Sequence, residues 1–191
     1  MRIGIVSDLH GNAPALERAL EAMGRIDELI CLGDAINEHR FSNEVVALLR
    51  SHDARAIRGN HEEVFFSAGG LRARSAGGID PAHLAWLADR PRTDRLQRAG
   101  RDLLLVHSTP WEPTGRYVCA HDHEFARFGD TGADIVLYGH THLAVVQQAG
   151  RTLVVNPGSA GEPRQCRAGW LCSCAVLDPA SLRAEIVEFP A

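Results

Sequence analysis

The chain has 191 residues, enough for one domain with a buried core, and we read 1–191 as a single domain. A formal net charge of −4 gives no strong nucleic-acid signal, and no apolar run reaches the length of roughly eighteen residues that a membrane-spanning helix needs. All 20 basic residues are arginine, which excludes a P-loop or a Schiff-base lysine. The 5 cysteines lack paired C-x-x-C spacing, so neither a disulfide framework nor a structural zinc site is expected.

Met1-Arg2 leads straight into the apolar run Ile3–Val6, which leaves no room for a signal peptide and implies a cytoplasmic protein. Asn12 as N-cap and Pro14 in the first turn predict a helix through about Met23. Leu29–Leu32 reads as a second buried strand, Ser42–Leu49 as a helix and Ala54–Ile57 as a third strand. This alternation argues for a mostly parallel sheet covered by helices. From about Glu62 to Arg95 the chain makes an excursion, broken by two glycine pairs and holding a helix at Pro81–Asp89. The five arginines between Arg90 and Arg101 read as a solvated face. Strands resume at Asp102–Val106 and Ile135–Tyr138, with a helix near Glu124–Phe128 between them. The alternating segments Leu143–Gln148, Thr152–Val155, Leu171–Leu177 and Ala184–Phe189 suggest a second sheet packed on the first. Cys172 and Cys174 alternate there as buried residues of one strand face.

Five of these strands end in a metal-ligand motif. Asp8 and His10 follow the first, Gly33-Asp34 the second, Gly59-Asn60-His61-Glu62 the third, His107 the fourth and Gly139-His140-Thr141-His142 the fifth. Taken singly, each is an ordinary turn or a satisfied polar residue. Together they matter, because ligands in open α/β sheets bind at the carboxyl ends of strands, so the five groups should converge. Imidazole and carboxylate donors without thiolate suit Mn, Fe, Zn, Co or Ni.

The pattern D-x-H, G-D, G-N-H-D/E, H, G-H-x-H resembles the signature of the calcineurin-like metallophosphoesterases over roughly Met1 to Arg164. Asn156-Pro157-Gly158-Ser159 with Glu162-Pro163-Arg164 further resembles the small bacterial and archaeal phosphodiesterase branch. The resemblance implies a four-layer αββα sandwich, two mixed sheets flanked by helices. It implies two divalent cations, Mn favoured, one held by Asp8, His10, Asp34 and His142 and the other by Asp34, Asn60, His107 and His140. It implies hydrolysis of a small phosphoester or nucleotide-like substrate, more a phosphodiester than a monoester, by a hydroxide bridging the two metals. His61 is then the general acid. The third motif reads G-N-H-E where G-N-H-D is commoner, a change that bears on how His61 is oriented. A phosphomonoesterase or a dinucleoside polyphosphate hydrolase is an alternative on the same site. A non-catalytic module, such as the retromer subunit of this fold, would lack the third-motif histidine that is present here.

Asn37 and Arg164 are the candidate substrate contacts, with His39 beside the first. Trp111 and Tyr117 can either stack on a base or simply pack their loop. His121-Asp122-His123 has metal-ligand composition but no preceding strand or glycine turn, and reads as surface.

Overall fold

Strand β1 (Ile3–Val6) is buried at every position, as expected of a strand covered on both faces. The computed structural model describes residues 1–113, 115–167 and 169–191. On one side β1 pairs in parallel with β2 (Glu28–Cys31), which pairs in parallel with β3 (Arg55–Ala56). Helix α1 (Ala13–Met23) returns the chain between the first two strands, and α2 (Asn43–Ser51) between the next two. Asn12 caps α1 by accepting the Ala15 N–H at 3.1 Å, and Pro14 lies in the first turn. Ala15, Leu16, Ala19 and Met23 form its buried face.

The second sheet has the order β4-β5-β6-β8-β7, built from β4 (Thr93–Arg98), β5 (Arg101–Val106), β6 (Ile135–Leu137), β7 (Val145–Ala149) and β8 (Thr152–Asn156). Ile3, Ile5, Ile30 and Leu32 from the first sheet meet Leu103, Leu105, Ile135, Leu137 and Val155 from the second, so the main core lies between the sheets. Each such side chain contributes roughly 1.5–3 kcal/mol by leaving water. The opposite face of the first sheet packs on α1 and α2 through Val6, Leu29, Cys31, Leu16 and Val45. The opposite face of the second is covered by Phe125 and Phe128. The result is the expected four-layer sandwich. Among the described residues no helix is long and apolar enough to cross a membrane.

Two expectations are corrected. The C-terminal strands do not all extend the second sheet: β10 (Gly169–Asp178) pairs antiparallel with β1, and β11 (Arg183–Pro190) pairs with β10. The pairing Ile5↔Ala175 closes the edge of β1 that β2 leaves open, across most of the chain's length. Cys172 and Cys174 do share a buried face, packed toward α1. The arginine run holds a strand, β4, with only Leu96 buried. Too little apolar alternation marks it, and its charges suit an edge strand. The helix expected near Glu124–Phe128 is present as a 3-10 helix, His123–Thr131. The central excursion forms α3 (Asn60–Phe66), α4 (Leu71–Arg74) and α5 (Pro81–Ala88), with Phe65 and Leu87 packed on Ile36 and Val46. A short strand, β9 (Arg164–Cys166), pairs with the start of β10.

Candidate metal centre

The chain leaves β1, β2, β3, β5 and β6 at one end of the two sheets, and the five motifs converge there. Two glycines permit the approach. A Cβ on Gly59 would collide with the Asp34 carboxylate, and one on Gly139 with the Ser7 hydroxyl. Asp8, His10, Asp34, His140 and His142 have φ of 55°, 47°, 50°, 65° and 58°. They are five of the eight described non-glycine residues with positive φ. Such backbone costs roughly 1–3 kcal/mol per residue and persists where the surroundings over-determine it, most often at functional sites.

Three groups of donors lie within 4.8 Å of one another: Asp8, His10 and His142; His10, Asp34 and His61; and Asp34, His107 and His140. Asp34 belongs to two of them. Its Oδ2 is 3.2 Å from His107 Nε2, and its Oδ1 accepts the His61 N–H at 2.9 Å. Asn60 Oδ1 lies 2.9 Å from His107 Nε2. On the other side His142 Nε2 lies 3.3 Å from Asp8 Oδ1 and 3.2 Å from His10 Nε2. Two imidazole nitrogens sharing one cation at ~2.1 Å would take about this spacing. His10 Nδ1 and His140 Nε2 are buried with no hydrogen-bond partner. Buried polar atoms are normally satisfied, so this donor set fits cations.

The surroundings aim the donor atoms. His107 Nδ1 donates to Leu32 O at 2.8 Å, which directs its Nε2 to the centre. Burial opposes charge on this ring, yet the Asp34 carboxylate outweighs it and pushes His107 up to about 9. A proton there stands in for a cation. His140 is brought down to about 4 by burial and then by the neighbouring His107 ring. Burial would raise Asp8, but the His142 hydrogen bond and nearby rings hold it at about 2.

Two bracing groups were not legible in the sequence. Glu62, fully buried, accepts the N–H groups of Asp34 at 2.8 Å, Ile36 at 3.1 Å and Gly59 at 2.7 Å, locking the second motif to the third. Burial and then Asp34 raise it to about 7, against the backbone donors. The third-motif glutamate therefore addresses backbone, and His61 is oriented by another acid: Glu38 Oε2 lies 2.5 Å from His61 Nδ1. Its Nε2 is 3.8 Å from Asp34 Oδ2. The Asn156–Ser159 run is the second brace. Asn156 donates to Gly139 O at 2.7 Å and Ser159 to Asp8 O at 2.8 Å, tying the first motif to the fifth. Glu38 follows Asp34 by four residues, but nothing local marks it as facing His61.

Among the substrate candidates, Asn37 donates to His10 O at 2.7 Å, against the centre. Arg164 lies on β9 with its guanidinium in an ion pair with Glu188. His39 is exposed. Trp111 packs its loop, with its ring 5.3 Å from Phe128 and the Arg127 guanidinium 4.0 Å above it. Tyr117 instead stacks on His140. His121 is 84% exposed at its side chain, so the His121–His123 cluster is surface.

Residues 1–181 match the calcineurin-like phosphoesterase superfamily domain. The chain is 29% identical over 166 residues to phosphodiesterase YfcE of Escherichia coli K12, covering 86% of this chain and 82% of that protein. A metallophosphoesterase from Sphaerobacter thermophilus superposes with a TM-score of 0.79 at 24% identity, covering 99% of this chain and 88% of that one. An archaeal phosphodiesterase gives a TM-score of 0.63 at 20% identity, covering 99% and 100%. These two likenesses establish the fold.

Proposed function

The chain belongs to the calcineurin-like phosphoesterase superfamily, and on that premise we propose that it is a two-metal phosphodiesterase acting on small phosphoesters, with Mn²⁺ the favoured cation. The observation that carries this reading is Asp34, a single carboxylate shared by two donor groups that also hold unpartnered buried atoms. Asp8, His10, Asp34 and His142 would hold one cation, and Asp34, Asn60, His107 and His140 the other. When bound, such a pair supplies a water of lowered pKa and offsets charge on the phosphoryl oxygens. The phosphodiesterase relative favours a diester over a monoester.

The chain's own groups carry the rest. Hydrolysis forms one bond from water oxygen to phosphorus and breaks the bond to the leaving oxygen, which then needs a proton. His61 Nδ1 accepts the Glu38 N–H at 3.2 Å, with Glu38 Oε2 2.5 Å from the same nitrogen, so the Nε2 side faces Asp34 in the crevice. Its Nε2–H would give that proton to the leaving oxygen, worth typically 10²–10⁴-fold in rate. Asn37, fixed on the His10 carbonyl, is placed to contact substrate. Arg164 would have to leave Glu188 to do so.

The test is an assay of metal-reconstituted protein on bis-aryl and mono-aryl phosphates with Mn²⁺, Ni²⁺ and Zn²⁺, with Asp34→Asn as control. Faster turnover of the diester, lost in Asp34→Asn, supports the reading. No hydrolysis of either class by protein holding two metals overturns it.

A further inference from the structure

Tyr117 is 66% exposed, yet it is not free to move. Its ring lies on His140 with centroids 3.9 Å apart and planes 29° from parallel. His140 itself is 5% exposed and belongs to the donor group with Asp34 and His107. The residues on either side of Tyr117 are pinned. The Ser108 hydroxyl donates to the Arg116 carbonyl, and the buried Tyr138 hydroxyl donates to Val118 O at 3.2 Å. The Arg116 side chain is held in turn by Glu124 at 2.9 Å. Tyr117 is backed by a buried imidazole and leaves most of its surface to solvent at the rim of the centre.

We propose that Tyr117 is a specificity-determining stacking platform, and that the preferred phosphoesters carry a planar aromatic group, in the first instance a nucleobase. A ring already fixed in place loses little entropy on stacking, and every base has a flat face to offer. The phosphate would lie at the donor groups while the aromatic moiety rests against Tyr117. This assignment rests on the phosphoesterase reading only in that the metal pair anchors the phosphate.

The test separates the two. Protein loaded with Mn²⁺ is titrated calorimetrically with AMP and with ribose phosphate of the same linkage, which differ only in the base. Wild type should bind AMP more tightly by roughly 5- to 100-fold, the range of one base–aromatic stack. Tyr117→Ala should abolish that ratio, whereas Tyr117→Phe and Tyr117→Trp should keep it. The proposal is overturned by equal affinities in wild type, by a preference that survives Tyr117→Ala, or by binding of neither ligand. It is also overturned if Tyr117→Ala weakens both ligands equally, since support of His140 alone would do that. Turnover of a bis-aryl phosphate is followed in parallel. If turnover is absent while the AMP preference and its loss are seen, hydrolysis falls and the platform stands.

Discussion

Two polar regions of this protein look alike in composition and differ in physics. The β4–β5 edge is dense in charge, but its groups are matched: Arg95 with Asp102, Arg98 with Glu28 and Arg101 with Asp134. At the strand ends the polar groups are more deeply buried, two buried imidazole nitrogens lack partners, and five residues sit at positive φ. Satisfied charge stabilises an edge and keeps it from pairing with other chains. Unsatisfied charge on strained backbone is kept where something else must complete it. A density of titratable residues therefore does not mark a site, whereas orphaned donors on an over-determined backbone do.

This contrast can be broken most directly at Asp34. Asp34→Asn should cost on the order of 10³-fold in turnover and reduce the bound metal from two equivalents toward one, measured by elemental analysis. Retention of both metals and of turnover would remove the shared-carboxylate reading. His61→Ala should cost about 10²–10⁴-fold, more for alkyl than for activated aryl leaving groups. An equal loss on both would show that His61 does not donate the proton. Glu38→Gln keeps a hydrogen-bonding group beside His61 and should lower kcat by only about tenfold with KM little changed.

Acidity sharpens the comparison on the side of stability. His107 has a folded value near 9 against 6.5 unfolded, so the metal-free native state binds the extra proton. Its contribution is whole below pH 6.5 and is lost as pH rises through about 9. That loss is on the order of 3 kcal/mol by the shift alone. Thermal unfolding of metal-free protein should therefore fall across this window. The metal-loaded form, with the proton displaced, should not follow it, and metal affinity should rise with pH. A flat profile for metal-free protein would contradict the proton's role as a stand-in cation. The smallest effect belongs to the matched edge: Arg95→Ala should shift stability by no more than about 0.5 kcal/mol, since the pair is largely exposed, and leave turnover unchanged.

Much of the site was legible because a strand's apolar run and its terminal glycine are local signals. Ile3–Val6 before Asp8 and Ile135–Leu137 before Gly139 mark where the backbone leaves a sheet. β4 was missed for the converse reason, since one buried leucine does not make an alternation. The joining of β10 to β1 was missed because edge closure is a contest among all strands present.

Local order along the chain sets which donor types stand at which strand ends, and hence imidazoles and carboxylates on an α/β frame. Which atoms are shared or left without partners, and which residues brace them, follows from how distant segments pack. Asp34 is common to two donor groups, Glu38 rather than Glu62 lies against His61 Nδ1, and Tyr117 rather than Trp111 lies on the His140 ring. The reason is one of range. A strand end is set by neighbours a few residues away, whereas His10 meets His142 across a separation of 132 residues. Contacts of that kind follow from how two sheets close on one another.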